Sequence, residues 1–275
     1  MHSSPILVIG SNGKTGRRIA TKLSALGYPV RKGSRSAAIP FDWDLPETWA
    51  PALSGVSAVY ISYFPDLAFP GAPEKIEALT QHAEAAGVSR LVLLSGRGEL
   101  HAQRCENIVR ESGLEFVLVR AAWFAQNFSE GYLRDPLLQG FIALPAGDVR
   151  EPIVDVDDIA DVAVAALTEP HHAGELYEVT GPRLLSFAEA ADALSKATGQ
   201  QIRYQPISLD EFHAGMLEIG GPVVADVFTE VCREVLDGRN ASLGDGVQRA
   251  LGRQPREFGD FCQAAAQAGA WPEAA

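Results

Sequence analysis

Along the first 180 residues, short unbroken apolar runs alternate with longer stretches where apolar residues recur every three or four positions. The runs are Ile6–Ile9, Pro29–Arg31, Ala58–Ser62, Leu91–Leu94 and Phe116–Val119. Helical periodicity fills Lys14–Leu26, Leu45–Leu53, Pro73–Ala86 and Arg97–Ser112. A strand that is apolar on both faces needs cover on both faces, so the alternation predicts a parallel sheet between two helical layers. A further return follows: a strand over Pro152–Val156, a helix over Asp158–Leu167 and a strand over Leu176–Thr180. The expected fold is α/β, a doubly wound parallel Rossmann sheet.

After Gly181-Pro182 the rhythm changes. Ser186–Thr198 reads as helix, Gln201–Pro206 as extended chain, and the rest as mostly helix up to Trp271. Ser208-Leu209-Asp210-Glu211 carries the spacing of a capping box. We expect residues 1–182 to form the sheet domain and 183–275 a smaller, mostly helical lobe that receives substrate. Residues 121–151 contribute partly to that lobe. The tail Pro272–Ala275 is expected to fray.

Composition narrows the class of protein. Of the 275 residues 47% are hydrophobic, enough to bury a full core. A formal net charge of -12 repels phosphate backbones, which argues against a nucleic-acid partner. Cys105, Cys232 and Cys262 form no paired motif, so neither a disulfide framework nor a structural zinc site is expected. The N-terminus has no basic segment followed by a signal-like apolar stretch, and no run approaches the roughly 20 apolar residues of a membrane span. Reduced thiols and a cytoplasmic location follow. Association into a homodimer is left open.

The sharpest local signal is the passage from Ile6-Leu7-Val8-Ile9 through Gly10-Ser11-Asn12-Gly13-Lys14-Thr15-Gly16 into a helix. Three glycines at this spacing allow a tight turn, close approach of backbone to a pyrophosphate, and helix–strand contact. The helix N-terminus then presents free N–H groups and a positive dipole end to the phosphates. A carboxylate about 20 residues further on would select NAD. The second strand instead leads into Val30-Arg31-Lys32-Gly33-Ser34-Arg35-Ser36, three cations and two hydroxyls suited to a 2′-phosphate. NADP(H) is the expected cofactor, with Arg35 the leading contact and Ser34 and Arg31 beside it. Asp42, after a short expected strand, suits either an adenine amino group or a turn ahead of the next helix. Ser62-Tyr63-Phe64-Pro65 is expected to wall the ribose and pyrophosphate.

Short-chain dehydrogenases pair a tyrosine with a lysine four residues on, so that the tyrosine protonates a nascent alkoxide. The only such spacing here is Tyr28 to Lys32, at the adenosine end of the expected site. None of the five lysines lies within Arg97–Ser112. The remaining candidates for chemistry are Ser95, His101, Trp123 and Asn127. His101 is either a proton donor or a helix-surface residue. Glu106 suits a helix-face ion pair. Trp123, Phe124 and Phe128 either line a nicotinamide pocket or belong to the core. Asp155–Asp158 reads as helix N-capping rather than as a metal site, and no metal is expected.

At these residues the chain resembles the NmrA-like atypical short-chain dehydrogenases, which include NADPH–quinone reductases and NADP-sensing regulators. The resemblance rests on Gly10–Gly16, Ser34-Arg35, Asp42, Glu106, Ser112-Gly113-Leu114, Arg120, the segment Trp123–Phe128, Asp155–Ala160 and Thr180-Gly181-Pro182. Within it, Gly13-Lys14-Thr15, Asn127-Phe128-Ser129-Glu130 and Gly252–Phe258 look most like the festuclavine/agroclavine dehydrogenase branch. The resemblance implies reduction of a cationic iminium, a pyrophosphate loop at Gly10, Gly13 and Gly16, and a 2′-phosphate contact at Ser34 and Arg35. It also implies a nicotinamide wall at Trp123, Phe124 and Asn127. Many NmrA-like reductases carry a lysine early on the helix after the strand ending at Ser95; this chain has none there.

Two readings stand at this point. One is an NADPH-dependent oxidoreductase that passes hydride to an unsaturated small molecule: an iminium, a quinone or an enone. The other is a non-catalytic NADP(H) sensor that binds a partner protein. A deep apolar cleft beside the nicotinamide favours the first, and a filled one the second.

Overall fold

The computed structural model describes residues 4–271. Its strands are β1 (Ile6–Ile9), β2 (Val30–Gly33), β3 (Ala58–Ile61), β4 (Arg90–Gly96), β5 (Glu115–Ala121), β6 (Phe141–Leu144), β7 (Arg150–Glu151), β8 (Leu176–Val179), β9 (Leu185–Ser186) and β10 (Arg203–Pro206). The helices are α1 (Lys14–Ala25), α2 (Trp49–Leu53), α3 (Ala72–Ala85), α4 (Leu100–Glu111), α5 (Asn127–Glu130), α6 (Arg134–Leu138), α7 (Val156–Thr168), α8 (Phe187–Thr198), α9 (Leu209–Val235), α10 (Gly246–Leu251) and α11 (Phe258–Gln267).

Six strands form one parallel sheet in the order β2-β1-β3-β4-β5-β8. Alternate residues of each strand feed two separate cores. Ile6, Val8, Tyr60, Val92, Val117 and Val119 pack against α1, α7 and α10. Leu7, Ile9, Val59, Ile61, Leu91, Leu93 and Leu118 pack against α2, α3 and α4. Both sides are dry, which is why the strands read as continuous apolar runs. The α/β, doubly wound parallel architecture expected from the sequence is the one observed.

A third core lies beyond the sheet. Phe128, Leu137, Ile142, Leu144, Phe187, Leu194, Phe212, Phe258 and Phe261 join α5, α6, α8, α9 and α11 around β6. Ser186 and Ser208 each begin a helix with a complete capping box, closed by Glu189 and Glu211. Helix α9 breaks at Gly221, whose φ of 76° is left-handed, with Pro222 immediately after. Residues 246–251 return to the sheet, where Val247 joins the α1/α7 core.

Several boundaries differ from expectation for local reasons. Pro152–Val156 is not a strand; only an isolated bridge joins Phe124 to Val154. Pro152 has no N–H to donate, and Asp155 is already the N-cap of α7. The short strand expected before Asp42 is a loop closed by Ala37 and Phe41 amides on the Ser34 carbonyl. Arg97–Ser112 loses its first turn because the Arg97 amide still bonds to Ala121 of β5 and Gly98 turns at φ 83°. Leu45–Leu53 splits into a 3-10 turn and the short α2. The small pairings β6–β10 and β7–β9 have no clear counterpart in the sequence pattern. The tail Pro272–Ala275 lies outside the described residues. Among those residues no helix is long and apolar enough to cross a membrane.

Candidate active site

The glycine turn sits where β1 meets α1, at the C-terminal edge of the sheet. Gly10 takes φ 75°, and Gly13 caps α1 without a side-chain hydrogen bond. No acidic residue occupies the first turn, so the amides and dipole of α1 face outward uncompensated. A Cβ on Gly16 would lie 2.2 Å from the Gly10 carbonyl oxygen, and one on Gly33 would lie 2.9 Å from Ile9 Cα. The buried Ser11 hydroxyl has no partner. A cradle that any side chain would fill, with open amides and an unused hydroxyl, fits a dinucleotide diphosphate. Thr15 is buried beneath the turn, and Asn12 is exposed with its amide reaching Ser36 Oγ at 3.5 Å.

The adenosine end divides the expected cations. Arg31 points to the C-terminus of α2, donating to the Ala52 and Ser54 carbonyls at 2.8 and 2.6 Å. It is spoken for structurally and is withdrawn as a phosphate contact. Arg35 is exposed and makes no hydrogen bond or ion pair among the described residues. Ser34 lies beside it, 3.5 Å from Ser36 Oγ. Asp42 takes the turn role: Oδ1 accepts from the Asp44 amide at 3.0 Å, and its carbonyl accepts from Trp49 Nε1 at 2.7 Å. Ser62 stands against Gly10, while Tyr63 is buried against Trp43 at 4.7 Å between ring centroids.

From this turn a cavity of about 330 Å³ runs over the ends of β3, β4 and β5. Lys14, Ser62, Tyr63, Ser95, Trp123, Phe124 and Asn127 line it on the sheet side, and Phe228, Val231 and Val235 of α9 roof it. Lys14 Nζ donates to Asn127 Oδ1 at 2.7 Å. Burial lowers the Lys14 pKa, opposed by Glu130 and reinforced by Arg17 and Arg18. Those two arginines are themselves held by Glu130.

The expected catalytic residues fare differently. Ser95 is buried at the cavity edge, but its hydroxyl donates to Glu106 Oε1 at 2.6 Å. Glu106 is in turn gripped by Arg120 through Nε and Nη2 at 2.9 and 2.5 Å. Ser95 therefore supports the floor; its proton points away from the cavity. His101 is exposed on the first turn of α4 and lines a separate groove with Phe69, Glu74 and Arg104. It is withdrawn as a proton donor, because the shortened α4 places it outside. Trp123 and Asn127 line the cavity, as does Phe124. Phe128 does not: it is fully buried in the third core, 5.7 Å from the Phe258 ring.

Three carboxyl groups in the wall escaped the sequence reading. Asp66, Glu99 and Glu151 come from three distant loops and edges, and all line the cavity. Burial raises the Glu99 pKa well above the usual carboxylate range, helped by repulsion from Asp66, Glu234 and Glu106. Asp66 is raised by burial as well, against a hydrogen bond from the Ala68 amide. Glu151 is 1% exposed, and burial pushes it up to about 7. No local spacing signals these groups; only the packed fold brings them together.

Asp155 accepts from the Asp157 amide at 2.9 Å and from Gln126 Nε2 at 2.7 Å, the capping role expected of it. Asp158 is fully buried and receives Arg253 and Arg256. The Gly252–Phe258 motif thus clamps α7 and takes no part in the cavity.

A family model described as NAD(P)H-binding matches residues 10–170. The chain belongs to this NAD(P)H-binding family, and a nicotinamide dinucleotide is its cofactor. It is 32% identical to the uncharacterized oxidoreductase YesF of Bacillus subtilis, over 98% of each chain. It is 32% identical to the NAD(P)H azoreductase of Xenophilus azovorans, over 96% of this chain and 98% of that one. Festuclavine dehydrogenase of Aspergillus fumigatus is 31% identical, over 94% and 96%. Among solved structures, the NADP(H) complex of Citrobacter triphenylmethane reductase superposes with a TM-score of 0.73 at 20% identity, over 95% and 99%. The negative transcriptional regulator NmrA superposes with a TM-score of 0.71 at 14% identity, over 98% and 97%. The clavine dehydrogenase relatives expected from the sequence are among those found, the fold is shared with NmrA, and the chain belongs to a family of NAD(P)H-dependent oxidoreductases.

Proposed function

We propose that this protein is an NADPH-dependent reductase that passes hydride to an unsaturated small molecule, an iminium, a quinone or an enone. One observation carries the reading. The cavity of about 330 Å³ opens beside Lys14 and Ser62, next to the glycine turn, and continues under Trp123, Phe124 and the α9 roof over the sheet edge. A filled cleft at this place would have favoured a regulator that only senses the nucleotide.

When bound, the nicotinamide supplies hydride at its C4. The chain's own residues do the rest. The α1 amides hold the diphosphate, and Ser34 with the unpaired Arg35 grips the 2′-phosphate that distinguishes NADPH from NADH. Lys14 and Asn127, joined at 2.7 Å, fix one wall of the cavity. Trp123, Phe124 and the α9 roof exclude water and lay a planar acceptor against the sheet edge. From residues 183–275 it is the second half of α9, with Asn240, that shapes this space, joined by Trp123, Phe124, Asn127, Tyr132 and Glu151 from 121–151, while residues 246–256 pack on the sheet domain instead.

No tyrosine–lysine pair stands on α4, so an acceptor already activated for hydride suits the site better than a simple ketone. Relatives named as an azoreductase and a festuclavine dehydrogenase support redox chemistry on a small organic molecule. The test is NADPH oxidation across iminium, quinone, enone and ketone panels. Turnover of one of the first three is expected. Tight NADPH binding with no turnover of any acceptor would leave the sensor reading in its place.

A further inference from the structure

We infer that Glu151 is the proton source for the reduced acceptor, a role that rests on the reductase reading above. Glu151 lies on β7 and faces the cavity, yet it is almost wholly enclosed. Its Oε1 is buried and has no hydrogen-bond partner. An ionised carboxylate left in that state loses hydration without compensation; a carboxylic acid pays far less. The enclosed oxygen and the open cavity beside it are the geometry of an acid awaiting an acceptor.

The surroundings hold the group near its working point. Burial raises its pKa, the Arg97 guanidinium pulls it down, and Asp237 pushes it up, leaving it at about 7. Arg97 comes from the turn after β4, and Asp237 from the end of α9. Arg97 is itself spent on Glu178 and the Asn240 and Ser242 carbonyls. Lys14, Asp66 and Glu99 face the same cavity from α1 and the loops after β3 and β4. Burial, with repulsion from Asp66, Glu234 and Glu106, raises Glu99 as well. Of the wall carboxyls it is Glu151 that has a buried oxygen without a partner, and a group titrating near 7 both gives and recovers its proton near neutral pH.

The step balances as follows. A quinone or enone gains two electrons and one hydrogen as hydride from the reduced nicotinamide, which is thereby oxidised. The Glu151 O–H bond breaks, and its proton goes to the acceptor oxygen or α-carbon. The carboxylate then regains a proton from water. An iminium arrives positively charged and needs no proton, so Glu151 has no such task there.

The experiment compares wild type, Glu151→Gln and Glu99→Gln with NADPH and two acceptors, a quinone and a stable iminium. Glu151→Gln is expected to lower kcat for the quinone about 100-fold, the scale of general acid catalysis, and iminium turnover less than threefold. The wild-type quinone rate should fall as pH rises through about 7, and the variant's should be flat. A second readout needs no cofactor: infrared difference spectra of wild type minus Glu151→Gln should show a protonated carboxyl band lost near pH 7. An unchanged quinone rate and pH profile in Glu151→Gln would overturn the assignment, as would the same loss appearing only in Glu99→Gln. Equal loss with both acceptors would make Glu151 structural. Failure of wild type to reduce any acceptor would instead remove the reductase reading itself.

Discussion

Lys14 Nζ and Asn127 Oδ1 meet at 2.7 Å, so the phosphate-facing end of α1 is tied to the first residue of α5 across the cavity wall. The ammonium is desolvated there, and its pKa is already lowered by burial. Asn127→Leu removes the acceptor and keeps the volume. The lost charge-assisted bond is worth about 1.5–3 kcal/mol, so the melting temperature should fall by several degrees, and kcat/KM should fall as well because the same bond fixes the cavity wall. Steady-state kinetics with NADPH checks this.

Arg35 should decide between the two dinucleotides. Arg35→Glu places a negative charge where the 2′-phosphate is expected. NADPH affinity should drop about 100-fold or more and NADH affinity by less than threefold, read by calorimetry. Equal loss of both would move the phosphate contact elsewhere.

Gly16 tests the diphosphate cradle. A methyl at this position meets the Gly10 carbonyl oxygen at 2.2 Å and its carbon at 2.7 Å, both backbone atoms. Gly16→Ala must therefore displace α1 from the turn. Dinucleotide binding should weaken at least about tenfold, and thermal unfolding should shift down by several degrees.

Arg120 is the counter-charge of Glu106, which is 1% exposed. Arg120→Met leaves that carboxylate, and the Ser95 hydroxyl bonded to it, without a cation. Breaking a buried pair from one side costs about 3–5 kcal/mol, which urea unfolding would register. The loss should be nearly as large without cofactor as with it, since the pair lies beneath the floor.

The Glu151 carboxyl also ties stability to pH. Its folded value of about 7 exceeds the ordinary 4.5, so the folded state binds its proton more tightly than the unfolded chain does. The stability this contributes is present below pH 4.5 and is lost as pH rises through about 7. The shift of roughly 2.5 units corresponds to at most about 3 kcal/mol between pH 4.5 and 8. Glu151→Gln should remove this part of the decline. The difference between the two proteins' stabilities at pH 5 and pH 8 measures it, free of the other titrating groups.

What the chain discloses before folding depends on how local the cause is. The Gly10–Gly16 turn was legible because each glycine answers a backbone demand within seven residues. The two dry cores were legible because strand residues with no polar face admit only one kind of sheet. The cavity acids were not. Asp66, Glu99 and Glu151 are far apart in sequence, and burial, a tertiary property, is what sets them apart from ordinary carboxylates. His101 stayed ambiguous because exposure, which puts it on the helix surface, is set by what packs against α4 and not by its own neighbours in sequence. Arg31 stood beside the leading candidate Arg35 in sequence; two carbonyls at the end of α2 take it away.

The break at Gly221-Pro222 divides the labour of α9. The half before it anchors Phe212 and Met216 in the third core, while the half after it carries Phe228, Val231 and Val235 over the cavity. The ceiling of the cavity is thus a single short cylinder hung from a joint, with the glycine turn on another part of the chain. Side chains exchanged on that cylinder would remould the ceiling while leaving the turn between β1 and α1 untouched.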